Sequence, residues 1–201
     1  MKIFIITGPS GVGKTHLVNE LSKHGVYPLK VYTDRERRLS ESVTTDRIYL
    51  SKEEFDKGLS DFLYWFEFQG NRYGYRSSDI EEQKRAGRSI CFNITPTHLR
   101  FLLEKLPEAI VIYLHTPKED FDLLFKRMVE RDISEDDSDD VREAKVRSIE
   151  SRLNFALGEL DKAACIEDII NKNPQSKRFL VRNDNILNEE IVPYVLSLIS
   201  E

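Results

Sequence analysis

The feature that most constrains this chain is the run Gly8-Pro9-Ser10-Gly11-Val12-Gly13-Lys14-Thr15, set directly behind the apolar stretch KIFIIT at residues 2–7. It matches G-x-x-x-x-G-K-[ST], a loop that wraps nucleotide phosphates between a strand and a helix. Glycines let the backbone approach an anion closely, and successive N–H groups with the helix N-terminus then face it. The pattern assigns Gly8, Ser10, Gly11, Val12, Gly13, Lys14 and Thr15 to the phosphates of a nucleoside triphosphate. Lys14 would reach the β- and γ-phosphates, and the Thr15 hydroxyl would ligate Mg²⁺. A glycine turn ahead of an ordinary helix explains the glycines alone. It does not explain their coincidence with an apolar strand before and an amphipathic helix after. The motif points to a nucleoside triphosphate without naming a reaction.

KIFIIT is short, β-branched and apolar, as in a strand buried on both faces. Residues 88–94 (RSICFNI) and 109–114 (AIVIYL) repeat that character, 178–182 is a fourth strand candidate, and helical stretches near 97–106, 117–131 and 187–200 follow them. Strands alternating with helices predict an α/β fold with a parallel sheet and right-handed crossovers. Between residues 33 and 87 the pattern changes. Phe62, Tyr64, Phe66 and Phe68 alternate with Leu63, Trp65, Glu67 and Gln69, and GNRYG reads as a turn, which predicts a small strand-rich insertion. Residues 131–150 are highly charged and contain EDDSDD at 135–140. A solvated helix–loop and a mobile lid over a site both fit that stretch.

Composition removes several classes. Of the 201 residues, 40% are hydrophobic and 32% charged, which supports a packed core rather than a disordered tail. No apolar run approaches the ~20 residues of a membrane helix, and the N-terminus carries no cleavable signal pattern. A cytoplasmic monomer or homodimer with no membrane partner is therefore expected. A net charge of −5 and the lack of a basic stripe argue against a nucleic-acid partner. Cys91 and Cys165 make no disulfide framework, and His16, His24, His98 and His115 have no metal-ligand spacing with them. Both cysteines are expected to pack as small hydrophobes.

GPSGVGKT resembles the phosphate loop of guanylate kinases, and later segments keep that family's order. Thr33-Asp34-Arg35-Glu36-Arg37-Arg38 resembles its T-T-R-x-x-R clamp for the acceptor phosphate. Glu41 and Ser51-Lys52-Glu53-Glu54-Phe55 sit at the family's spacing. Phe62-Leu63-Tyr64-Trp65 followed by Gly70-Asn71-Arg72-Tyr73-Gly74 resembles F-[LI]-E-W…G-N-Y-Y-G. Arg152-Leu153-x-x-Ala156-x-x-Glu159 resembles the helix after the lid, and Asn183-Asp184 the adenine-side loop.

The resemblance implies a P-loop kinase three-layer fold: a core at 1–32, 88–130 and 151–201, an acceptor-binding insertion at 33–87 and a helical lid at 131–150. It implies ATP and Mg²⁺ as the donor system and a small phosphorylated acceptor, a nucleoside monophosphate. Arg35, Arg38 and Tyr73 would hold the acceptor's phosphate, since planar guanidiniums grip phosphate oxygens through paired hydrogen bonds. Arg131 and Arg152 match the lid arginines that stabilise charge on the transferring group, with Arg127 and Arg147 as rivals.

Four acceptor-site positions depart from the family pattern. Tyr64 replaces a guanine-reading glutamate, and Thr95, with Asn93 two residues before it, replaces an acidic strand end. Arg47 replaces a phosphate-binding tyrosine, and Tyr75 a small hydroxyl residue. Guanine offers N1–H and N2–H₂ donors, for which carboxylates are the natural acceptors. Each such charge-assisted bond contributes ~1.5–3 kcal/mol, so weakened selection of guanine is expected. Asp34 replaces a threonine of the clamp; it either compensates for lost acidity near the metal, caps a helix, or pairs with a nearby arginine. Phe92-Asn93…His98-Leu99 and the Tyr73-Gly74 region are also similar to ribose 1,5-bisphosphate phosphokinases, whose acceptor has no base. A non-catalytic guanylate-kinase-like binding module is expected to degrade the phosphate loop, which is intact here.

Overall fold

The computed structural model describes residues 1–37, 47–68, 70–160, 163–183 and 185–200, without the side chains of 159, 160 and 163–165. β1 (Ile3–Thr7) is buried along its whole length and leads through the glycine loop into α1 (Lys14–Lys23). β2 (Tyr27–Pro28), β3 (Val31–Thr33), β4 (Arg47–Tyr49) and α2 (Lys52–Lys57) follow. β5 (Phe62–Phe68) and β6 (Asn71–Arg76) form a hairpin that runs into α3 (Ser77–Arg85). Then come β7 (Ile90–Ile94), α4 (Leu99–Lys105), β8 (Ile110–His115), α5 (Phe121–Asp132), α6 (Asp139–Leu160) and α7 (Ala163–Lys172). β9 (Lys177–Leu180) and α8 (Val192–Ser200) close the chain, α8 entered through a π-helical turn at Leu187–Ile191.

The main sheet has five strands in the order β2-β7-β1-β8-β9, all parallel. Because helices cover both faces, β1 reads as a continuous apolar run, and its side chains divide by parity. Phe4 and Ile6 join Leu17, Leu21, Leu124 and Val195 on one side; Ile3 and Ile5 join Ile80, Leu99 and Leu102 on the other. Burial of each such side chain contributes ~1.5–3 kcal/mol relative to exposure. The order places the C-terminal end of β1 between those of β7 and β8, where an open parallel sheet binds ligands.

The second sheet, β4-β3-β6-β5, forms the strand-rich insertion. Its β3–β4 pair is parallel and its other pairs antiparallel. The helices α2 and α3 within this region carry no clear apolar period and were not expected from the sequence. α2 is instead fixed at its start by a capping box, with Ser51 and Glu54 bonded reciprocally to each other's backbone N–H.

The expected alternation from Phe62 to Phe68 fails at its first member. A pairing irregularity between Phe62 and Tyr64 turns Phe62 to the other face, against Tyr32 and Phe55. Tyr64 and Phe66 face α4 instead, stacking near Phe101 and His98.

Two of the five acids in the acidic run serve a helix start. Residues 133–138 join α5 to α6, and Asp139 and Asp140 occupy the first turn of α6, where the helix dipole favours negative charge. Asp137 accepts the Ser134 N–H at 2.7 Å and the Lys145 ammonium at 2.6 Å. Among the described residues, no helix is long and apolar enough to cross a membrane.

Candidate active site

The glycine loop is fixed by close approach. Gly8 has φ +151°, and a Cβ there would lie 2.4 Å from the Leu114 carbonyl oxygen at the end of β8. Gly13 caps α1 with φ +106°, and a Cβ there would meet Leu187 at 2.8 Å. Any other residue at either position is strained and sterically blocked. Val12 is fully buried and anchors the loop to the core. The Lys14 ammonium donates to the carbonyls of Gly8 at 2.7 Å and Pro9 at 2.8 Å, so it folds across the cradle it helps to form. Thr15 is exposed in the first turn of α1, and its hydroxyl accepts a long bond of 3.4 Å from the Asn93 amide.

That bond brings the end of β7 to the donor loop. Thr15 fits a Mg²⁺ ion as a neutral oxygen ligand beside an anion cradle. Among the described residues, no cluster of three or more His, Cys, Asp or Glu side chains could hold a metal, so nucleotide phosphates and water would supply the remaining ligands.

Asp34 does not fill that gap. It accepts bonds from the Arg72 backbone N–H at 2.7 Å and Nε at 2.6 Å. Burial alone would raise its carboxyl, but the Arg72 bonds and charge outweigh it and hold the group low. Arg72 also pairs with Asp56 and lies over the Phe55 ring. Of the readings open for Asp34, the salt bridge is the one realised, although its partner is on another strand.

Arg35 follows directly. Its guanidinium donates to the Tyr49 hydroxyl at 3.3 Å and to the Glu36 carbonyl at 3.0 Å. A cleft of about 580 Å³ opens here, lined by Arg35, Arg37, Tyr49, Lys52 and Asn71 among others. Arg47 begins β4, half-buried opposite Val31. Tyr73 pairs across the sheet with Thr33. Arg38 lies outside the described residues.

A row of rings runs from Tyr73 toward the main sheet. Tyr73 stacks on Phe66 with centroids 5.5 Å apart, and Phe66 on His98 at 4.0 Å. Tyr64 completes the row, its hydroxyl 3.1 Å from His98 Nδ1. Burial, with a smaller effect from Glu104, pushes the Tyr64 phenol up to about 12, and burial pushes His98 down to about 4. Both are neutral near pH 7. His98 was not foreseen as a site residue. Its sequence signal is its place in the His98-Leu99 pair of the second resemblance; in the structure it ends the Pro96–His98 turn directly after β7.

Thr95 ends this edge with its hydroxyl oxygen buried and without a hydrogen-bond partner among the described residues. Tyr75 is placed differently from the expectation. It is fully buried, donates its hydroxyl to the Asn93 carbonyl at 2.7 Å and packs edge-on against Phe92, so it pins the two sheets together.

Arg131 and Arg152 converge on one carboxylate. Asp132 accepts from Arg131 at 2.7 and 3.0 Å and from Arg152 at 2.5 Å. Burial would raise the Asp132 carboxyl, but the two guanidiniums hold it far below the usual carboxylate range. Arg152 is 8% exposed and also donates to the Ser148 carbonyl, whereas Arg131 is 54% exposed. Nothing in the sequence distinguishes Asp132 from the many acids around it. Of the rivals, Arg147 pairs with Glu143 on the outer face of α6, and Arg127 is half-buried on α5. Asn183 is exposed in the turn after β9 and accepts the Ile186 N–H. Asp184 and the Cys165 side chain lie outside the described residues, and Cys91 is buried, its thiol pushed up to about 12.

Known proteins resemble this chain in sequence and in fold. The family model described as guanylate kinase matches residues 1–163. The guanylate kinase of Streptomyces coelicolor is 34% identical over 65% of this chain and 67% of its own. That of Rubrobacter xylanophilus is 32% identical over 58% of this chain and 63% of its own. The chain thus spans just under two thirds of that relative's length. The guanylate kinase of Prochlorococcus marinus subsp. pastoris is 27% identical over 84% of this chain and 95% of its own. The crystal structure of guanylate kinase from Anaplasma phagocytophilum superposes with a TM-score of 0.62 at 16% identity, covering 99% of this chain and 84% of that one.

Proposed function

Because the chain belongs to the guanylate kinase family, we propose that it transfers the γ-phosphoryl group of ATP to the phosphate of a nucleoside monophosphate, with GMP the first acceptor to assay. The observation that carries this reading is an intact phosphate loop, with Lys14 folded across it, in one chain with an insertion in which Arg35 follows the strand whose Thr33 pairs with Tyr73. A binding module has no need of Lys14 folded across an intact cradle.

The chemistry is positioning and charge neutralisation. The acceptor's phosphate oxygen attacks the γ-phosphorus in line, the bond to the β,γ-bridging oxygen breaks, and ADP leaves. Gly8, Ser10, Gly11, Val12, Gly13 and Lys14 hold the donor phosphates, and Asn183 and Asp184 flank the donor base. Thr15 would hold Mg²⁺, which neutralises charge between the β- and γ-phosphates. Arg35, Arg38, Arg47 and Tyr73 hold the acceptor phosphate. Arg152, kept in place by Asp132, turns its remaining N–H groups toward the transferring group, and Arg131 assists from the surface.

Residues 1–32, 88–130 and 151–201 act as the core, 33–87 as the acceptor-binding insertion and 131–150 as the lid. Lid closure excludes water and limits wasteful hydrolysis. The protein works in the cytoplasm as a monomer or homodimer, without nucleic acid or membrane. The test is acceptor-dependent ADP formation from Mg-ATP: GMP should support turnover, and Lys14→Ala should lower kcat at least ~100-fold. Near-normal turnover in that variant would sink the reading.

A further inference from the structure

The ring row gives the acceptor site a chemical character beyond phosphate transfer. From Tyr73, one of the residues assigned to the acceptor's phosphate, a row of rings leads to the main sheet. Thr33 pairs with Tyr73, Tyr73 stacks on Phe66, and Phe66 meets His98 and Tyr64 at the end of β7. At that end lies the Thr95 hydroxyl, buried and unpartnered among the described residues.

The groups along this row are uncharged. Tyr64 and His98 share one hydrogen bond and stay neutral across the physiological range. The nearby carboxylates are committed or turned away. Asp34 is bonded to Arg72. Glu67 alternates onto the face opposite Phe66 and pairs with Arg72 in the β5–β6 register. Glu104 is exposed on α4 and acts on Tyr64 through space, bonding no member of the row.

A 2-amino group on a purine carries two donors and calls for an ionised acceptor. Hydroxyls, by contrast, donate to a 6-oxo group or accept from N1–H, and those two atoms are common to guanine and hypoxanthine.

We infer that Thr95, Tyr64 and His98 read the 6-oxo and N1–H edge of the acceptor's purine and leave its 2-amino group unread, so GMP and IMP are phosphorylated with similar efficiency. The inference rests on the nucleoside-monophosphate-kinase reading above, and it makes His98 and Thr95 specificity-determining residues of that reaction.

The experiment compares kcat/KM for GMP and IMP with the full-length protein and Mg-ATP. It is run beside titration calorimetry of each nucleotide, so that binding is read without turnover. The expected ratio of GMP to IMP is below about 5 in both measurements. A carboxylate on the 2-amino group would instead give a ratio on the order of 10 to 100, and a ratio in that range overturns the inference. In Tyr64→Glu the ratio should rise at least ~10-fold in favour of GMP. A folded, active Tyr64→Glu protein with an unchanged ratio places the base elsewhere and overturns it too. If that variant does not fold, the wild-type ratio decides. Binding of both nucleotides without turnover refutes the kinase reading while the calorimetric ratio still tests this one. Failure of both to bind refutes both.

Discussion

Removing the Asp132 carboxylate at the end of α5 should destabilise the protein, because it breaks a buried ion pair to α6. Arg152 is 8% exposed and its charge is met by Asp132 at 2.5 Å, with only the Ser148 carbonyl as a further described acceptor. Asp132→Ala therefore strands a buried guanidinium. Breaking a buried pair from one side costs ~3–5 kcal/mol, and the 12% exposure of Asp132 places this case at the lower end, on the order of 3 kcal/mol. The exposed Arg131 contact adds little. For a chain of this length the loss corresponds to a fall in Tm of about 6–12 °C.

Asp132→Asn keeps an acceptor oxygen without charge and should lose about 1–1.5 kcal/mol. Asp132→Ala combined with Arg152→Met removes both charges and should return to within ~1 kcal/mol of wild type. Urea unfolding followed by circular dichroism reads all three. The sign with pH follows from the lowered carboxyl. Its stabilisation is complete above the unfolded value of about 4 and is lost as pH falls toward the depressed folded value. The gap between wild type and Asp132→Ala should accordingly shrink in acid. If Asp132→Ala stays within ~0.5 kcal/mol of wild type, or the double variant is no better than the single, the reasoning is wrong.

Three further outcomes are expected. Gly13→Ala should cost ~1–3 kcal/mol and weaken ATP binding, because it combines φ +106° with a 2.8 Å approach to Leu187; calorimetry with ATP and thermal unfolding check both. His98, lowered by burial, should stay neutral in an NMR titration until about pH 4. The stability it contributes is full above the unfolded value of about 6.5 and is lost as pH falls through 4, so His98→Gln should flatten that part of the stability profile. Arg72→Ala should leave the Asp34 carboxylate buried without its guanidinium partner, lowering Tm and raising KM for the acceptor with little change in KM for ATP.

The parallel sheet was legible because strands covered on both faces have nowhere to put polar residues. β1, β7 and β8 lie within the expected stretches to within a residue or two; β9 does so as well, although only Phe179 of its four residues is buried. The phosphate loop was equally plain, since its glycines answer to fixed approaches by Leu114 and Leu187. The acceptor site was less so. Asp34 and Arg72 stand 38 residues apart and meet only because β3 pairs with β6. The Tyr64–His98 bond likewise joins two elements across the interface of the two sheets. The resemblance makes Tyr75 a ligand position, yet packing decides its role, because its ring is buried against Phe92 and its hydroxyl is bonded to the Asn93 carbonyl. α2 and α3 escaped a reading based on apolar period, since each buries little more than one or two side chains.

Acceptor-dependent turnover is the most direct test of the central claim. ADP and nucleoside diphosphate should be measured together, for wild type and Lys14→Ala, with Mg-ATP in the presence and absence of GMP. The account predicts equimolar ADP and GDP from the wild type, little ADP without acceptor, and loss of both products in the variant. ATP binding with no GDP formed, or equal ADP release with and without GMP, would contradict it.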